Sequence, residues 1–151
     1  PERAERLQAL AEARRISRQG GIIVAAAISR FASTLDGLRG GYLEDPGFAA
    51  VAAADRRDGR HRNPTGDPAY FTTAYFHRPE ELGDELAAAG FADARVLGVE
   101  GPAWMVADFD ARWADPILHA DMMAVARAVE TEPAMRGVSA HLLAIGRKAP
   151  R

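Results

Sequence analysis

Arg14-Arg15-Ile16-Ser17-Arg18-Gln19-Gly20-Gly21-Ile22-Ile23-Val24-Ala25-Ala26-Ala27-Ile28-Ser29-Arg30 joins a basic helix end, a double glycine and a continuous apolar run. Arg14, Arg15 and Arg18 suit the negative end of a helix dipole, and Gly20 or Gly21 can take the left-handed conformation that stops a helix. Ile22 to Ile28 carries no charge, the pattern of a strand covered on both faces. The stretch therefore predicts a helix feeding a buried strand, the αβ step of an open, mostly parallel sheet.

Upstream, Leu7, Leu10, Ala13 and Ile16 recur at threes, with Glu2, Glu5 and Glu12 weighted toward the start. A helix over residues 2–18 follows. Downstream, Phe31, Leu35, Leu38 and Tyr42 place one apolar stripe on a second helix that ends at Gly40 or Gly41. Asp45-Pro46 supplies an N-cap and a first-turn proline for a short helix carrying Phe48, Val51 and Ala52. Residues 55–68 are dense in charge, glycine and proline without an apolar period, which marks a surface loop. Pro79-Glu80-Glu81 opens a helix with Leu82, Leu86 and Ala89 on one face and Gly90-Phe91 as its glycine stop. Strands over 94–99 and 139–147 follow, with a helix over 116–129 between them. The fold class is α/β.

A chain of 151 residues is the length of one domain, read here as 1–151. Hydrophobic residues make up 48% and the formal net charge is −2, which points away from disorder and from a nucleic-acid partner. The sequence has no cysteine, which removes disulfides, thiolate metal ligands and a cysteine nucleophile together. Its longest uncharged run, Gln19 to Ser29, is far short of the roughly 20 residues that span a bilayer, and no signal peptide opens the chain. The expectation is a cytoplasmic protein with no membrane partner. The chain opens at Pro1 and enters a helix almost at once, so it reads as one entered midway. Neither the Gly-Lys-Ser/Thr of a phosphate loop, nor Gly-x-Ser-x-Gly, nor Tyr-x-x-x-Lys occurs.

Three wordings together resemble the C-terminal half of class I S-adenosylmethionine-dependent methyltransferases. The first is the helix stop Arg15-Ile16-Ser17-Arg18-Gln19-Gly20-Gly21, with Ser17 and Gln19 where the family usually carries leucine and proline. The second runs from Phe76-His77-Arg78-Pro79-Glu80-Glu81-Leu82 through Ala89-Gly90-Phe91, similar to the family's helix leading into strand six. The third, Ser139-Ala140-His141-Leu142-Leu143-Ala144-Ile145-Gly146-Arg147-Lys148, looks like its closing strand seven. The resemblance implies a Rossmann-like methyltransferase fold represented by strands five, six and seven, flanking helices and an inserted helical lid over residues 31–76. It further implies that the last strand lies in the middle, antiparallel to the other two, and that the first strand's free edge is covered by another chain, a missing segment or the lid. The family holds its cofactor with a glycine-rich turn and an acidic residue from the N-terminal half; neither can be placed in this sequence. S-adenosylmethionine is thus the cofactor of the parent protein, and the chain by itself is expected to be inactive.

Candidate site residues follow from position. Ser29 and Arg30 end the first strand, where ligands of open α/β sheets gather. Tyr70, Phe71, Tyr75 and Phe76 are either a strand or turn packing under the lid or flat walls of an acceptor pocket. His61, in Asp58-Gly59-Arg60-His61-Arg62-Asn63, is either a solvated loop histidine or a catalytic group that orients or deprotonates the acceptor. His77 either caps and packs at the start of its helix or faces the pocket. Asp108-Phe109-Asp110 and His119-Ala120-Asp121 lack a third ligand at a supporting spacing, so no metal is expected there. The expected activity is methyl transfer to a small-molecule acceptor. The competing expectation is a non-catalytic binding or dimerisation module that completes its sheet through the edge of the first strand.

Overall fold

The computed structural model describes residues 2–149; Pro1 and residues 150–151, the ends of the expected 1–151 unit, lie outside the described residues. Helix α1 covers Arg3–Ile16, and strand β1 covers Ile22–Ser29. Gly20, at φ +72°, makes the left-handed turn between them, and its N–H donates to the Lys148 carbonyl at 2.9 Å. Helices α2 (Ala32–Gly40) and α3 (Pro46–Asp58) follow, the second capped by Asp45, whose carboxylate accepts from the N–H groups of Gly47 and Phe48. Next come β2 (Arg60–His61), β3 (Ala74–His77), α4 (Pro79–Ala88) and β4 (Phe91–Gly98). The chain continues through α5 (Phe109–Ala114) and α6 (Pro116–Val129) to β5 (His141–Lys148).

Five strands form one mixed open sheet in the order β2-β3-β1-β5-β4. β5 lies between β1 and β4 and is antiparallel to both, with Val24 opposite Ile145 and Leu97 opposite Leu143. This is the arrangement expected for the three longest strands. β3 takes the strand alternative for the Tyr75-Phe76 segment, whereas β2 was not expected: two residues are too short for a sequence period to register, and His61 and Ala74 are drawn together from opposite ends of a charged loop. β3 runs parallel to β1 but accompanies it only at Ile28 and Ser29. The edge is therefore met in part by the final residues of the 31–76 insert, and among the described residues no strand lies beside residues 22–27 on that side.

The core sits on one face of the sheet. Leu82 and Leu86 of α4 pack against Phe91 and Val96 of β4 and Leu142 and Ala144 of β5, with Leu10 of α1 and Ile23, Ala25 and Ala27 of β1 around them. The opposite face of β1 is open: Ile22 is 58% exposed and Val24 57%. The expectation of a strand covered on both faces is corrected accordingly. An uncharged run records that both faces are suited to burial, not that the described residues supply both covers. No helix is long and apolar enough to cross a membrane, among the residues described.

Candidate functional site

Parallel β1 and β4, and β5 running against them, bring three chain positions to the same end of the sheet: the carboxyl ends of β1 and β4, and the beginning of β5. Ile28 is thereby paired with His141. Over this end the insert folds back, α2 and α3 packing through Ala32, Phe48, Val51 and Ala52. Between sheet and insert is a cavity of about 290 Å³, walled by Phe48, Tyr70, Phe71, Phe76 and Trp104, with Ser33, Asp36, His61 and His141 supplying polar atoms. Its position at strand carboxyl ends is where open α/β sheets receive ligands, and aromatic walls with a few polar groups are the usual lining of such sites.

The roof is fastened by buried polar groups. Asp55, fully buried on α3, accepts from the Ser33 hydroxyl at 2.6 Å and faces His61 Nδ1 at 2.8 Å. His61 Nε2 lies 2.9 Å from the Tyr70 carbonyl oxygen. Both partners of the imidazole are acceptors, an arrangement that favours the doubly protonated ring. Burial alone would lower its pKa; the hydrogen bonds to Asp55 and the Tyr70 carbonyl, with the charge of Asp55, outweigh this and raise it above the ordinary value. The ring stacks on Phe76 with centroids 4.6 Å apart and planes 4° apart. His61 thus lines the cavity with both ring nitrogens held by acceptors, the geometry of a clamp on the roof.

Phe71 adopts φ 66°, a left-handed region unfavourable for a bulky side chain, and it is held there by Asn63, whose side-chain amide donates to its carbonyl at 3.0 Å. Phe71 is 53% exposed, and its ring lies beside His61 in the cavity wall.

The remaining predicted residues go elsewhere. Ser29 is fully buried and donates to the Gly137 carbonyl at 2.9 Å. Arg30, 3% exposed, donates from Nε to the Phe76 carbonyl at 2.8 Å and from Nη2 to the Tyr75 hydroxyl and to Glu81 at 3.0 and 2.6 Å. It ties β1 to β3 and to the first turn of α4, where Glu81 also accepts the Arg78 N–H. Tyr75 and His77 project from β3 away from the cavity, ring edge to face at 4.8 Å, with the Arg6 guanidinium 3.6 Å over the Tyr75 ring. His77 Nε2 faces Glu85 at 3.2 Å; burial outweighs this contact and keeps the imidazole below its ordinary pKa, hence neutral. The structure therefore gathers His61, Tyr70 and Phe71 at one cavity and separates from them Ser29, Arg30, Tyr75 and His77.

Sequence reasoning missed Trp104, Asp36 and above all His141. His141 Nδ1 lies 2.6 Å from Glu100 Oε1, while the same carboxylate accepts the His141 backbone N–H at 3.0 Å. The only signal was a histidine opening the last strand, whose place at the cavity depends on the reversed register against β1. Asp108 and Asp110 flank Phe109, which stacks on Trp113, and Trp113 stacks in turn on His119. No family model matches the chain, and no curated protein does either.

Three connections lead from a strand toward a following α-helix. The turn after β1 is Arg30-Phe31 and the turn after β3 is Arg78, neither with a glycine, and residues 99–108 after β4 carry Gly101 alone; none has the spaced glycines that let a backbone approach a nucleotide. The described residues do not fit S-adenosylmethionine, and no step is derived through it.

Proposed function

We propose that this chain is the acceptor-binding half of a Rossmann-like methyltransferase whose parent protein transfers a methyl group from S-adenosylmethionine to a small molecule in the cytoplasm. The observation that carries the reading is the aromatic-walled cavity at the carboxyl end of β1. The placement of β5 between β1 and β4 agrees with it, because that order is the one the resemblance implies. In this reading the chain contributes position rather than chemistry: flat walls orient the acceptor, and the clamp of His61 on the roof excludes water from it. The test is an assay of the parent gene product with methyl-deuterated S-adenosylmethionine and a panel of small aromatic acceptors. Label transferred to an acceptor, matched by S-adenosylhomocysteine, is the expected result. A folded protein that labels none of them would overturn it.

One observation favours a second reading. On the edge away from β5, no strand among the described residues lies beside residues 22–27, and the neighbouring open face displays Ile22 and Val24. An unpaired edge next to an apolar face is a template for strand addition, which suits a non-catalytic module that associates with a second copy of this chain or with a missing segment.

A further inference from the structure

The polar groups around the cavity divide unequally. Every side-chain donor in its wall is already engaged. The Trp104 indole N–H donates to the Val138 carbonyl at 2.9 Å, the Tyr70 hydroxyl to Asp45 at 2.8 Å and the Ser33 hydroxyl to Asp55 at 2.6 Å. Both His61 N–H groups are held by Asp55 and the Tyr70 carbonyl. Acceptors remain. Asp36 meets Arg39 through Oδ1 only, at 3.4 Å on the surface. His141 presents the other: Glu100 can only accept, so Nδ1 carries the proton and, in the neutral ring, Nε2 keeps its lone pair. With its side chain 57% exposed at the rim and its Nδ1 fixed, His141 is a pre-oriented acceptor. Glu100 cannot swing away easily, since its second oxygen holds the backbone of the same residue.

We infer that the cavity binds a flat aromatic ligand whose ring hydroxyl donates to His141 Nε2, with Glu100 as the positioning residue that holds the imidazole. This rests on the acceptor-pocket reading above. Aromatic walls select the flat ring, and the missing donors select a ligand that brings its own. An aromatic carboxylate finds no free side-chain donor and meets Asp36, so the cavity rejects it. When the hydroxyl ionises, its O–H bond breaks, the proton passes to Nε2 and the electron pair stays on the phenolate oxygen. Glu100 then faces an imidazolium, a charge-assisted contact.

The test uses the 151-residue chain with ¹⁵N-labelled histidine and tryptophan side chains, titrated with p-cresol and with 4-methylanisole, which differs by capping the hydroxyl. The expected result is that p-cresol moves the His141 Nε2 and Trp104 indole resonances and binds about tenfold more tightly than 4-methylanisole, the worth of one hydrogen bond. Glu100→Ala should let the His141 tautomers mix and abolish the preference, whereas Glu100→Gln, which still accepts from Nδ1, should keep it. Equal binding of both probes, with Trp104 responding and His141 silent, would overturn the assignment of His141 while the pocket stands. Trp104 indifferent to both probes would overturn the pocket reading itself, and this inference with it.

Discussion

Burial pulls His61 and His77 the same way, toward the neutral form, yet the two end on opposite sides of their ordinary pKa. His61 has an acceptor at each nitrogen and a carboxylate among them; His77 has one carboxylate, already shared with Arg6, whose positive charge opposes a second cation. A histidine raised in the fold contributes stability that is complete below its unfolded value of about 6.5 and is lost as pH rises through the raised folded value. The unfolding free energy of the parent chain minus that of His61→Gln should therefore be largest at about pH 5 and shrink toward about pH 9. Denaturant titrations of both proteins across that range would measure it, and a difference that does not change with pH would mean that His61 is not charged. The candidate site was legible at this scale only in part. Tyr70, Phe71, Tyr75 and Phe76 read as one aromatic cluster, but on a strand successive side chains alternate, so Phe76 turns to the cavity while Tyr75, with His77, turns toward Arg6 and Glu85. Tyr70 and Phe71, outside that strand, escape the alternation and line the cavity.

At the scale of elements, the helices α4 and α6 were legible because their start signals are strong. Pro79 and Pro116 each stand at the first helical position, with Glu81 or Asp115 accepting free N–H groups. The join between α3 and β2 was not, since it depends on a long-range contact. Gly59 adopts φ +74°, and a Cβ there would stand 2.5 Å from the Phe76 carbonyl oxygen and 2.6 Å from Arg30 Nη2. Its own N–H and carbonyl link α3 to β3, the carbonyl accepting from the Phe76 N–H at 2.8 Å. Gly59→Ala should cost about 2 kcal/mol or more, because it combines left-handed strain with a clash against backbone and a buried guanidinium. Thermal unfolding would record this as a lowered midpoint, and a variant as stable as the parent would show that the Arg30 fastening yields easily. Gly66→Ala is the fitting control: it has a similar φ of +74° but open space around it.

For the whole molecule, the three long strands and their α/β class followed from the sequence, whereas the uncovered face did not, because hydrophobicity does not say who provides the cover. If β1 associates with a second copy, the chain should sediment as a concentration-dependent dimer, and Val24→Lys, on the open face, should return it to a monomer without loss of helix or strand content. A parent chain that stays monomeric at the highest workable concentration would leave strand addition between copies without support.

The position of β5 has a consequence for how the polypeptide reaches this state. β1 precedes the insert and α4 in the chain, yet its long neighbour on one side is the segment His141–Lys148, and β4 shares that neighbour. The pairing of Ile22 with Arg147 closes almost the entire length of the chain into one loop, the kind of remote contact that slows a folding reaction. During synthesis α1, β1, the insert and α4 emerge with no central strand to join them. Leu82, Leu86 and Phe91 then wait, partly exposed, for Leu142 and Ala144 to leave the ribosome. Joining of β1 to β4 is in this sense keyed by β5, and a nascent chain stalled before residue 141 would hold both halves of an unfilled slot.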